Sequence, residues 1–189
     1  MPEAEEQLQA WIKEVEQYHL PLWEELPDIE LYMDQVITLI ERYLAPLVGQ
    51  TDNKVITSAM INNYVKLNIM PKPNKKRYER LHMAYLIVIT ILKQVLLIPE
   101  IKNGIFLQSR HCSLAQAYDL FCQEQENALH TMASKYLTDS AIEPAVMDYP
   151  VNLNTLGLHM ACTSFASKIF TEKIIILRME EQNHLEQKN

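Results

Sequence analysis

Glycine is nearly absent from this sequence: Gly49, Gly104 and Gly157 are the only three in 189 residues. Their wide separation means that no GxGxxG, GxxxxGK[ST] or GxSxG can be written, so dinucleotide, P-loop and nucleophile-elbow sites of those kinds are excluded. Cysteine is scarce as well. Cys112, Cys122 and Cys162 are odd in number and contain no CxxC pair, which argues against a disulfide framework and for thiols kept in a reducing compartment. The longest apolar run, Met83 to Leu92, falls short of the roughly 20 residues that span a bilayer, so no membrane partner is expected. The opening MPEAEEQLQA is acidic and leads into no apolar signal core, so the expected location is the cytoplasm. No alternating apolar and polar run bounded by turn signals stands out, which leaves room for at most a small hairpin.

What is present is helix. Apolar residues make up 48% of the chain, enough to bury a sizeable core in one domain or two small ones. Leu8, Trp11, Ile12 and Val15 recur at helical spacing between glutamates over Pro2 to Tyr18, and Pro21 ends that helix. Asp28 is the expected cap of a second helix running to about Leu44, closed by Pro46 and Gly49, with Leu31, Val36, Leu39, Ile40 and Tyr43 toward the core. Glu79 to Val95 carries Met83, Leu86, Ile89 and Leu92 and is the expected core helix, with Gly104 as a C-terminal cap and candidate boundary. A long helix is expected from about Ser113 to Leu137, a loop from Thr138 to Asn154, and a last helix from about Leu153 to Glu181. In that last helix Leu156, Met160, Thr163, Ser167, Phe170, Ile174 and Leu177 step by four and three, a seam for a partner helix in a hairpin or, alternatively, a homodimer. The small Ala161, Cys162, Ser164 and Ala166 beside it allow close approach or leave room for a ligand.

Charge is segregated. The chain carries −7 overall, yet Lys54 to Arg110 holds ten Lys or Arg against Glu79 and Glu100, a local +8 that leaves −15 elsewhere. A field of this kind attracts polyanions to the middle of the molecule, unless those cations pair with the chain's own acidic ends.

The basic segment contains the most readable stretch, ITSAMINNYVKLNIMPKPNKKRY, from Ile56 to Tyr78. Thr57 and Ser58 are helix starters for a short helix, roughly Ala59 to Leu67. Ile61, Tyr64 and Leu67 would face the core, while Ala59, Asn62, Asn63 and Lys66 share the other face. Asn can bond the major-groove edge of adenine twice, an Ala methyl can touch thymine, and Lys neutralises phosphate. Two prolines then stop the helix in PKPNKKR, where Lys72, Lys75, Lys76 and Arg77 crowd into a charged wing, followed by Tyr78 and Arg80.

On these residues the sequence MINNYVKLNIMPKP, continued by KKRYERLHMAYLIVITILKQVLLIPEIKNGI, resembles the DNA-binding unit of MerR-type transcription regulators. Met60 to Met70 matches that family's recognition helix and exit, Lys76, Arg77 and Tyr78 its wing end, and Pro99 to Lys102 the start of its last helix. Asn62 stands where the family usually has Arg, Asn63 where it has an aromatic, and Asn68 where it has Gly. LPDIELYMDQVITLIERYL joined to TSAMINNYVK and KKRYERLHMAYL also resembles an uncharacterised bacterial family, domain of unknown function eighteen-thirty-six, over about Trp23 to Gly104.

The expected fold is all-α: a helical N-terminal region 1–105 in which the MerR resemblance implies a winged helix-turn-helix unit at about residues 28–105, followed by long antiparallel helices in a C-terminal region 106–189 that is a helical hairpin or a dimerisation region. The expected function is a transcriptional regulator on double-stranded DNA, with Ser58, Asn62, Asn63 and Lys66 at the groove and Lys72, Lys75, Lys76, Arg77, Tyr78 and Arg80 along the backbone. The alternative is a protein-interaction module on a degenerate DNA-binding scaffold. No nucleophile, base and orienting group can be assembled, so an enzyme is not expected, nor a cofactor. Two ExxH pairs, Glu79 with His82 and Glu181 with His184, have di-iron spacing but adjoin the wing and a polar tail. His111, Cys112, Cys122 and His130 fit no strong zinc pattern, so no metal is assigned.

Overall fold

A computed structural model describes residues 2–48, 54–136 and 153–187. Its helices are α1 (Pro2–Glu16), α2 (Met33–Val48), α3 (Ser58–Lys66), α4 (Arg80–Leu92), α5 (Ile98–Ser109), α6 (Leu114–Tyr136) and α7 (Leu153–Gln187), with a 3-10 turn at Trp23–Glu25. Among the described residues the only β pairings are two isolated bridges, Leu31 with Tyr78 and Asn74 with Arg77. The expected all-α class therefore holds, and none of these helices is long and apolar enough to cross a membrane.

α4 is the axis of the molecule. Nine of its 13 residues are buried, among them Met83, Leu86, Ile87 and Ile89, as befits a helix that is apolar on every side. Around it, α2 contributes Val36, Ile40, Leu44 and Leu47 at steps of four and three, and α1 contributes Ile12 and Val15. The core then continues through Phe121, Leu129, Phe165 and Ile169 of α6 and α7, so both halves of the chain share one apolar cluster.

α6 fastens the segment after α1 with polar side chains that the sequence analysis did not single out. Its Asp119 accepts from the Trp23 N–H at 2.7 Å, Glu126 accepts from the Leu20 N–H at 2.7 Å, and the Tyr118 hydroxyl donates to the Pro21 carbonyl at 2.8 Å. His19 bridges Glu25 at 2.8 Å and Glu126 at 3.0 Å, which raises its pKa, chiefly through the Glu25 hydrogen bond. Part of the negative charge outside the central segment is thus used on the chain itself.

Several expectations are corrected. α6 and α7 are not an antiparallel hairpin: Glu124 meets His159, Gln125 bonds the Cys162 carbonyl and Tyr136 lies by Phe170, so the two helices advance in the same direction. α1 runs opposite to both, since Trp11 contacts Phe170 while Gln9 reaches Tyr136 and Leu20 reaches Glu126. The buried line on α7 is Ala161, Cys162, Phe165, Ala166, Ile169, Phe170 and Leu177; Leu156, Met160 and Ile174 of the expected seam are exposed. Asp28 does not cap α2; it sits 3.7 Å from Arg80, and α2 begins only at Met33, after the bridge between Leu31 and Tyr78. Pro46 lies inside α2 and Gly104 inside α5, so neither ends a helix. Of the expected loop from Thr138 to Asn154, residues 138–152 lie outside the described residues, and Leu153 and Asn154 already belong to α7.

Candidate nucleic-acid interface

α3 begins and ends on local signals. Thr57 is extended (φ −134°, ψ 159°) and its hydroxyl accepts from the Met60 N–H at 3.2 Å, an N-cap of the usual kind. At the other end the Asn68 N–H bonds the Val65 carbonyl and the Ile69 N–H bonds the Tyr64 carbonyl, with Asn68 left-handed at φ 52°. This is the Schellman closure, and Asn serves where Gly is commoner because its short polar side chain tolerates that backbone. Ile69 and Met70 go into the core, and the Lys102 ammonium donates to the Leu67 carbonyl at 2.9 Å, placing a cation at the negative end of the helix.

Rotation is fixed by Ile61 and Tyr64, which are buried. Ser58, Ala59, Asn62, Asn63 and Lys66 are consequently exposed, as expected. Leu67, expected in the core, is 43% exposed, because the helix closes there and the chain turns away.

The wing is a very tight hairpin. The Arg77 N–H bonds the Asn74 carbonyl at 2.7 Å, and the two residues between, Lys75 and Lys76, have φ of 47° and 63°. Positive φ at both central positions is the type I′ geometry, which matches strand twist but favours Asn and Gly over Lys. Two cationic side chains are therefore held at the tip at a backbone cost of about 1 kcal/mol or more each. The base is pinned by paired hydrogen bonds between Leu31 and Tyr78 of 2.8 and 2.9 Å. Beneath it lies His82, whose Nδ1 accepts from the Glu79 N–H at 3.0 Å and whose ring meets Tyr78 edge-on. Burial holds the His82 imidazole below its ordinary pKa, over the opposing pull of Glu79 and of the Lys72 and Glu79 backbone.

The ten central cations divide by what they touch; two of them, Lys54 and the Arg110 that lies over the Phe106 ring, are exposed outside α3 and the wing. Lys93, whose pKa burial lowers, donates to the Val55 carbonyl at 2.6 Å, and Lys102 caps α3. Arg80, expected on a phosphate, is turned inward to Glu24 at 2.7 Å and Asp28 at 3.7 Å, a correction to the site. Tyr78 is a second correction, being only 2% exposed. Arg77 stacks its guanidinium 3.8 Å from the centre of the Tyr32 ring, a partner that lies 45 positions away in the sequence and that nothing local announced. Lys66, Lys72, Lys75 and Lys76 are exposed and make no ion pair among the described residues. Among those residues no group of three His, Cys, Asp or Glu is placed to hold a metal ion.

This helix, wing and core helix fall within residues 21–121, just over half of the chain, which match the family model described as Domain of unknown function (DUF1836). The chain belongs to the DUF1836 family. The DUF1836 region takes in the loop that follows α1, all of α2 to α5, the wing, and α6 as far as Phe121. No curated protein and no solved structure matches the chain.

Proposed function

We propose that this DUF1836 protein is a DNA-binding transcriptional regulator of MerR-like type. In this reading the outer face of α3 lies in the major groove, with Asn62 and Asn63 on base edges and Ser58 and Lys66 at the flanking backbone, while Lys72, Lys75, Lys76 and Arg77 hold phosphates. The observation that carries it is the division of the cations: Lys93, Lys102 and Arg80 are tied to carbonyls and carboxylates, whereas four lysines of α3 and the wing are exposed and make no ion pair among the described residues. Two of them are kept at the hairpin tip in a backbone that lysine disfavours, the sort of strain that collects at functional sites. The order of capped helix, wing and core helix agrees with the reading. Ile174, Ile175, Ile176 and Met179 are exposed on α7, a surface suited to a second copy of the chain, which would present two such units to a two-fold symmetric site.

The test is duplex binding by fluorescence anisotropy at low salt. The expected result is measurable binding to any duplex, weakened by a similar factor on every sequence when Lys72, Lys75 and Lys76 become Ala, and re-ranked between sequences when Asn62 or Asn63 becomes Ala. Absence of binding at low salt would remove this reading and leave the protein-interaction module.

A further inference from the structure

A cavity of about 540 Å³ opens between α4, α5, α6 and the first turns of α7. That volume lies within the range of small-molecule sites. Two of the three glycines line it, Gly104 from the middle of α5 and Gly157 from near the start of α7.

Neither glycine has an ordinary reason to be there. Neither has a positive φ, and a Cβ built on either meets nothing within 4 Å among the described residues. No left-handed turn and no close helix approach requires them, and glycine inside a helix is disfavoured relative to almost any other residue. What their missing side chains do leave is room in this cavity.

The lining also selects by charge. Among the described residues it contains no Lys or Arg, its one imidazole is His111, and its one carboxylate, Glu100, already accepts from the Leu97 N–H at 2.7 Å. An anion would find no permanent positive charge there. The rings of Tyr85, Tyr118 and Phe121 offer apolar surface. Tyr118 spends its hydroxyl on Pro21, whereas the Tyr85 hydroxyl has no hydrogen-bond partner among the described residues and can donate to a carbonyl or hydroxyl oxygen.

We propose that this cavity binds an uncharged, mainly apolar small organic molecule bearing one hydrogen-bond acceptor, and that Gly104 and Gly157 are present to keep its volume open. The proposal does not rest on the nucleic-acid reading, since its readouts involve no DNA. The experiment titrates the full chain with Nile red, an uncharged apolar dye with a carbonyl, and uses dodecanoate as an anionic competitor of similar bulk, the competition being run at pH 8, where an imidazole is neutral. Gly104→Leu and Gly157→Leu fill the space, and Gly104→Ala and Gly157→Ala report on the fold.

The expected result is saturable one-to-one binding that dodecanoate displaces poorly and that either Leu variant weakens at least tenfold. Each Ala variant should raise Tm by about 2–4 °C, because helix propensity is gained with nothing lost in packing. Absence of saturable binding, unchanged affinity in both Leu variants, or a lowered Tm in the Ala variants would overturn the proposal.

Discussion

Lys75 and Lys76 carry the tension between stability and binding at the scale of single residues. Both sit at positive φ in a turn that favours glycine. Changing Lys76 to Gly should raise stability by about 0.5–1 kcal/mol in urea unfolding, while weakening duplex binding. A variant that loses stability would show that the turn is not under strain.

Arg80 predicts the converse. Its carboxylate partners are largely exposed, so the ion pairing itself should contribute no more than about 1 kcal/mol, and what Arg80→Ala costs beyond that is the packing of a largely buried side chain over Trp23. The salt dependence of duplex binding should not change. The three thiols sort by burial in the same way. Burial pushes Cys122 up to about 12 and raises Cys162 as well, whereas Cys112 is half-buried. A maleimide should therefore label one thiol, Cys112, in the native protein and all three on unfolding. Native labelling of Cys122 or Cys162 would contradict the packing of α6 or α7, respectively, on the rest of the core.

His82 and His19 titrate with opposite effects on stability. The folded pKa of His82 is depressed by burial, so its contribution is complete above the unfolded value of about 6.5 and is lost as pH falls below it. His19 is raised by Glu25 and Glu126; its contribution is present below about 6.5 and is lost as pH rises through the folded value, and the exposure of its ring makes it the smaller of the two. Urea midpoints between pH 5 and 8 should thus fall on the acid side, and His82→Gln should flatten that fall. An unaltered acid limb would place its cause elsewhere.

Among the elements, α3 depends on its caps. Thr57→Ala removes the oxygen that accepts from Met60 and should cost about 1 kcal/mol, restored almost entirely by Thr57→Ser. Circular dichroism melts of the two variants check it. α3, the wing and α4 were legible in the sequence because their determinants are local: a capping hydroxyl, two prolines, a cluster of cations, and an unbroken apolar row. The inward turn of Arg80 was not legible, because Glu24 lies 56 residues away in the chain. Nor was the packing of α7. Ile174, Ile175 and Ile176 adjoin the buried Leu177, so apolar residues surround that part of the helix and more than one seam can be drawn through them. The seam the fold uses runs through Ala161, Cys162 and Ala166, where small side chains let α6 come close. The parallel course of α6 and α7 depends on which ends meet in space, which periodicity does not encode.

Across the whole molecule, the charge pattern seen in the sequence survives folding in reduced form. The local +8 of residues 54–110 loses Arg80 to an ion pair and Lys93 and Lys102 to carbonyls. Glu126, Asp119 and Glu25 of the acidic parts are committed to backbone amides or to His19. What remains outward in the centre is the outer face of α3 and the wing, with Lys54 and Arg110 exposed beyond them. The salt dependence of duplex binding measures that residue of charge most directly. If Lys72, Lys75 and Lys76 each neutralise a phosphate, changing all three to Ala should reduce the slope of log K against log salt by roughly 2 to 3, and Arg80→Ala should leave it as it was. A slope that is the same in the wild type and the triple variant, or that moves with Arg80 instead, would contradict the account.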